Sequence, residues 1–205
     1  MKIAIFGATG GTGREIVQQA LAQGHELKAL VRNPAGFTIA HPALTIVPGN
    51  VLEPAPVAET VSGSDAVIIT LGNTANNPDY IVSEGTKQVL AAMEAQKVRR
   101  LIVITSIGVG ESKDQVPLAF KMLMKSVLRK PMEDKERQEA LVKASGLDWI
   151  IVRPGGLTDG PATGSYQSGL DPKLKAGQVS RADVAAFTLQ QLTDDTYLHK
   201  APAIS

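Results

Sequence analysis

Residues 2–13 read KIAIFGATGGTG: a short apolar strand, then the glycine turn Gly7-Ala8-Thr9-Gly10-Gly11-Thr12-Gly13, then directly a helical stretch. From Arg14 onward, Ile16, Val17, Ala20 and Leu21 share one helical face, and Gly24 closes it. A glycine turn between a strand and a helix is a context in which each glycine has its own task. Gly7 permits a tight exit from the strand, Gly10 keeps the backbone open to an approaching pyrophosphate, and Gly13 lets the helix pack closely. Gly11 lies between them, the free N–H groups at the helix start face an anion, and Thr9 and Thr12 add hydroxyls. The alternative for the same residues is a glycine-rich connector that holds no ligand.

Outward from this unit the pattern repeats. Near-continuous apolar runs at 27–31, 44–47, 66–71, 101–105 and 149–152 predict buried strands, and helical periodicity marks 57–61, 81–96, 135–144 and 184–192. Ser180 is the N-cap candidate for the last helix. Strict β-α-β alternation forces parallel strands with right-handed crossovers, so the expected class is α/β, a doubly wound parallel sheet in the order 3-2-1-4-5-6. At 205 residues the expectation is one domain over 1–205, with substrate-side loops at about 107–131 and 155–178. The stretch 155–177 lacks periodicity and reads as a lid or binding loop.

Composition narrows the function classes. With 43% hydrophobic and 20% charged residues, the chain has the make-up of an ordinary globular protein. Twenty-one Lys and Arg against 20 Asp and Glu leave a formal charge of +1, too little for a nucleic-acid footprint. No cysteine is present, which excludes thiolate chemistry, and His25, His41 and His199 are scattered, so no metal site is expected. No apolar run reaches the roughly 18 residues of a membrane helix, and no signal peptide precedes the first strand, so the expected setting is cytoplasmic.

Between 27 and 52 there is no Asp or Glu. A carboxylate at the end of the second strand would accept bonds from an adenosine 2′-hydroxyl and repel a 2′-phosphate, whereas Arg32 stands there and suits the phosphate. NADP(H) is therefore the expected cofactor. The other reading of Arg32 is a solvated surface arginine.

With GATGGTG at 7–13, VRNP at 31–34, PGNV at 48–51, TSIG at 105–108 and SGLDWIIVRPGGLTDGPATG at 145–164, the chain resembles the atypical short-chain dehydrogenases of Rossmann fold. The similarity is to the NmrA-like branch that includes the flavin and biliverdin-IXβ reductases, and it spans 2–192. The resemblance implies that Asn50 and Val51 border the adenine, Leu71 and Gly72 the adenosine-side ribose, and Ile104, Thr105 and Ser106 the nicotinamide. It also implies that Pro154, Gly156 and Leu157 line the pocket where nicotinamide meets substrate. Lys135 resembles the lysine that such proteins use near the nicotinamide ribose.

Three departures matter. The adenine position, commonly Asp, is Asn50, and positions 135 and 156 hold Lys and Gly where the flavin and biliverdin reductases tend to carry His. Four residues after Tyr80, Tyr166 and Tyr197 stand Glu84, Leu170 and Ala201, so the Tyr-x-x-x-Lys pair is missing. A tyrosine acid is needed mainly when an alkoxide must be protonated as it forms. Its absence shifts weight toward conjugated acceptors: a flavin, a quinone or a bilin-like molecule. The expected catalytic residues are Ser106, against a local turn-capping role, and Lys135, against membership of the solvated charge run 134–139. The run 116–129, with Phe120, Met122, Leu123 and Met124, reads as pocket wall, core or dimer contact. The expected protein is an NADPH-dependent oxidoreductase working as monomer or homodimer, without nucleic acid or membrane. The rival is a non-enzymatic NADP(H) sensor, and nucleotide-sugar epimerase chemistry ranks behind both.

Overall fold

The computed structural model describes residues 1–74, 77, 79–118, 121, 122, 126 and 128–205. The elements follow as β1 (Lys2–Phe6), α1 (Gly11–Ala22), β2 (Glu26–Val31), β3 (Leu44–Pro48), α2 (Pro54–Val61), β4 (Ala66–Ile69), α3 (Ile81–Gln96) and β5 (Arg100–Ile104). Then come α4 (Arg129–Ala144), β6 (Asp148–Pro154), β7 (Gly156–Thr158), β8 (Ser168–Gly169), β9 (Gln178–Ser180), α5 (Arg181–Gln190) and β10 (Ala203–Ile204). The main sheet runs β3-β2-β1-β4-β5-β6-β10-β8, parallel throughout except for β8, and β7 pairs with β9 in a separate two-stranded ribbon. The expected order of the first six strands is met.

Strand geometry sends alternate side chains to opposite faces, and apolar residues at every position therefore need cover on both. Ile3, Ile5, Ile68, Ile102, Ile104, Ile150 and Val152 meet α1 and α5 on one face. Ala4, Phe6, Val67, Ile69, Leu101, Val103, Trp149 and Ile151 meet α2, α3 and α4 on the other.

Several expectations shift. The stretch 155–177 is not a bare loop: it contains β7, which pairs with β9, and β8, which pairs with β10. Strands of two or three residues are too short to display a period. Helix α4 starts at Arg129 and not at 135, because Pro131 falls in its first turn, where a missing N–H breaks no helical bond. Of the methionine-rich run, Phe120, Leu123, Met124 and Lys125 lie outside the described residues, and Met122 and Leu118 are exposed.

The junction of β1, α1 and β4 leaves no room for side chains. Gly7 has φ +95°, and a Cβ there would sit 2.5 Å from the Thr70 carbonyl oxygen. A Cβ on Gly13 would overlap the carbonyl oxygen of Gly7 itself. Gly13→Ala should therefore cost about 1–3 kcal/mol or more in urea unfolding. Gly160→Ala, with nothing within 4 Å of its Cβ, should stay within about 0.5 kcal/mol. Equal stability of the two variants would show that the junction has slack.

Candidate functional site

The strand order reverses between β1 and β4, and a cleft of about 700 Å³ opens along the C-terminal strand ends at this reversal. Its floor is the glycine turn. Helix α1 has Gly10 at its N-cap, no capping side chain and no acidic residue in its first turn, so nothing within the helix competes for an incoming anion.

The four glycines divide their labour in a way that the structure makes explicit. Gly7 and Gly13 are required by the backbone, as described above. A Cβ on Gly11 would lie 2.7 Å from Cδ and Nε of Arg181, the first residue of α5. Gly10 differs from all three. Its backbone is ordinary (φ −71°, ψ 162°), and a Cβ there would meet only the Gly7 oxygen at 3.5 Å, a normal contact. Among the described residues no neighbour demands glycine at this position, and it faces the cleft.

Of the residues expected at the site, Gly7, Thr9, Gly10, Gly11, Thr12, Arg32, Asn50, Val51, Leu71, Gly72, Ile104, Thr105, Ser106, Lys135, Pro154 and Leu157 line this one cleft. Gly13 does not, because it packs beneath the turn. Gly156 does not line it either: it pairs with Gln178 as β7 begins, and Gly155 occupies the lining. Between Arg32 after β2 and Ser106 after β5 lie three inter-strand spacings, about 14 Å. The cleft is thus an elongated trough with β1 between its ends.

Charge in the trough is one-sided. Arg32, Lys135 and Arg181 line it, and no Asp or Glu does among the described residues. Arg32 donates from Nη1 to Asn77 Oδ1 at 2.7 Å, and Asn77 in turn donates to the Gly72 carbonyl at 3.2 Å. The guanidinium is therefore held toward the trough, and among the described residues its other donors have no partner. Asn50 spends its Oδ1 on the Leu52 N–H at 3.1 Å, which leaves its amide nitrogen to face a ligand as donor.

At the opposite end the polar groups are supported from behind. The Thr105 hydroxyl donates to Glu139 at 2.8 Å, and Glu139 pairs with Arg153, both nearly inaccessible to solvent. Arg153 also reaches Glu111, and Lys143 and Arg153 hold that carboxyl down at about 2. Thr105 is consequently a buried anchor and its hydroxyl is already engaged. Ser106 lines the trough but donates to the Ile107 carbonyl at 3.0 Å, so the local turn role and the cleft position coexist.

The reading of 134–139 as a solvated face is corrected. Asp134 and Glu139 are buried. Asp134 accepts the N–H groups of Val82 (3.0 Å) and Ser83 (2.8 Å), capping α3, whose own N-cap Tyr80 offers no side-chain bond. This fixes α4 and directs Lys135 at the trough. Among the described residues the Lys135 ammonium has no hydrogen-bond or ion-pair partner. Burial lowers its pKa to about 8, against the opposing pull of Asp134 and Glu139.

None of the three tyrosines lines the trough. Sequence reasoning missed twelve of the described lining residues, among them Thr70, Asn77, Ile81, Leu128, Pro131, Gly155 and Arg181. One of them carried a readable signal: Arg181 opens a helix, the end at which the macrodipole disfavours a cation.

The model of a family described as NAD(P)H-binding matches residues 7–195. An uncharacterized chloroplastic protein of Arabidopsis thaliana is 32% identical over 204 residues, covering 95% of this chain and 72% of that protein. Reductase pytE of Aspergillus terreus is 28% identical, covering 99% and 97%. The solved structure of ChuY, an anaerobillin reductase of Escherichia coli O157:H7, superposes with a TM-score of 0.84 at 26% identity over 100% of this chain and 96% of that one.

Lys135 can be tested without any ligand. A lysine at about 8, against the usual 10.5, carries on the order of a few hundredfold more neutral amine at pH 7.5 than a surface lysine. Limiting acetic anhydride followed by peptide mass spectrometry should therefore acetylate Lys135 ahead of the other lysines. Reaction at Lys135 no faster than at Lys2 would show that its ammonium is not desolvated.

Proposed function

The chain belongs to the NAD(P)H-binding family, and on that premise we propose that it uses NADPH to reduce a conjugated small molecule: a flavin, a quinone or a bilin-like acceptor. The observation that carries this reading is the trough lining, three cations and no carboxylate over an uncapped helix start. An extended polyanion fits it, and Gly10 keeps open the ground that a pyrophosphate would occupy.

In this reading Arg32, steadied by Asn77, reads the 2′-phosphate, because a guanidinium offers paired donors to phosphate oxygens. Asn50 and Val51 flank the adenine, and Leu71 and Gly72 the neighbouring ribose. Gly7, Thr9, Gly10, Gly11 and Thr12 surround the diphosphate. Bound there, the dihydronicotinamide supplies a hydride.

The chain's own groups supply the rest. Ile81, Leu128, Pro131, Pro154 and Leu157 form apolar walls that keep water from the acceptor's face. Ser106 and Lys135 are the polar groups able to orient an acceptor carbonyl, and Lys135 titrates in the range where a proton donor is useful. No tyrosine acid stands at this end. A conjugated acceptor spreads the incoming charge over its rings and requires no such acid.

Arg32→Ala should weaken NADPH about tenfold or more and leave NADH nearly unchanged in a binding titration, the loss of a charge-assisted contact worth roughly 1.5–3 kcal/mol. Equal loss for both cofactors would remove Arg32 from the 2′-phosphate. Gly10→Val should abolish dinucleotide binding with the melting curve preserved, since its Cβ makes only an ordinary 3.5 Å contact with the Gly7 oxygen. A Gly10→Val protein that still binds NADPH would displace the pyrophosphate from the turn. Steady NADPH oxidation with a free flavin or quinone is the expected activity. Binding without turnover across a broad acceptor panel would turn the assignment to a sensor.

A further inference from the structure

Arg181 stands out on three counts. It opens α5, the end of a helix where a cation is disfavoured. Its side chain lies directly over the glycine turn, close enough that a Cβ on Gly11 would stand 2.7 Å from its Cδ and Nε and displace it. Its ion-pair partner is Asp159, which is 91% exposed, while Arg181 is only 26% exposed. An ion pair with a partner so open to water contributes little and is readily exchanged.

The segment around Asp159 is secured elsewhere. Asp183, in the first turn of α5, accepts the N–H groups of Thr163 and Gly164 and the hydroxyls of Thr163 and Ser180. Asp159 is therefore not needed to hold this loop on α5. What the pair does achieve is to keep the Arg181 guanidinium parked at the edge of the trough.

We infer that Arg181 is a cation for the diphosphate of the bound dinucleotide, beside Arg32 at the 2′-phosphate, held ready by Asp159 and transferred to the phosphates when the nucleotide enters. This rests on the dinucleotide reading of the trough. It assigns to α5, from the far end of the chain, a share in a site otherwise built by the first β-α unit. It also explains two oddities at once: an arginine at a helix start, and a glycine at position 11 whose would-be Cβ would meet that arginine's side chain first. The exchange breaks one exposed ion pair and forms another with a doubly charged group, and no covalent bond changes.

The test compares NADP⁺ with adenosine 2′-monophosphate, which lacks the diphosphate, by calorimetric titration of the full-length protein and its variants. Arg181→Gln should weaken NADP⁺ about tenfold or more and leave adenosine 2′-monophosphate unchanged. Arg32→Ala should weaken both, and Arg181→Lys should recover part of the NADP⁺ affinity. Asp159→Asn, which leaves Arg181 intact, should bind NADP⁺ as tightly as the wild type or more tightly. Unchanged NADP⁺ affinity in Arg181→Gln overturns the inference, as does equal loss for both ligands. Loss in Asp159→Asn as large as in Arg181→Gln would make the pair a structural clasp and overturn it too. A wild-type protein that binds neither ligand would instead remove the dinucleotide reading itself.

Discussion

The architecture of the trough depends on one steric constraint, the contact between the Gly7 carbonyl and the Cα of Gly13. It places the start of α1 directly behind the end of β1, and the close approach of Gly7 to Thr70 locks that junction to β4. Because β1 and β4 flank the point where strand order reverses, the uncapped end of α1 meets the crevice between the two halves of the sheet. Any side chain at either glycine would move α1 away from the sheet, and with it the N–H groups that face the trough. The apolar core tolerates conservative change far better than this junction, because methyl groups repack whereas a carbonyl oxygen against a Cα has nowhere to go.

A second constraint acts at the other end. Helix α4 is a charged segment brought inside: Asp134 caps α3, and Glu139 binds Arg153 and Thr105. Buried ionic groups of this kind add little to net stability relative to apolar replacements, but loss of one partner leaves a charge stranded. They fix geometry, and here they fix where Lys135 points. Among the described residues the lysine is left without an ion-pair partner, the carboxylates nearby being engaged elsewhere, and its burial makes its amine titrate well below an ordinary lysine.

The trough thus combines two kinds of support. Its floor and its Arg32 end come from the first β-α units, whereas its opposite end comes from α4, β6 and α5 packed around the sheet edge. The edge itself is extended by β10, which follows α5, pairs with β6 and steadies the strand that carries Arg153, and by β8, which pairs with β10. Asp183 performs a similar service for the loop after β7, accepting four hydrogen bonds from the residues around it.

The sequence by itself determined the order of the first six strands, the main helices and the glycine turn that opens α1, because each is written in local pattern: continuous apolar runs, helical periodicity, glycines between strand and helix. It also placed Arg32 and Lys135, one from its position after a strand and one by family resemblance. Only the tertiary structure decided that Asp134 and Glu139 are buried, that Asn77 holds Arg32, that Gly155 and not Gly156 lines the trough, and that Arg181 lies across Gly11. The physical reason is distance along the chain. Asp134 and Ser83 are 51 residues apart, Arg32 and Asn77 are 45 apart, and Arg181 meets Gly11 across most of the molecule. Periodicity tells which face of an element is buried, but not which charged group on another element will arrive to satisfy it.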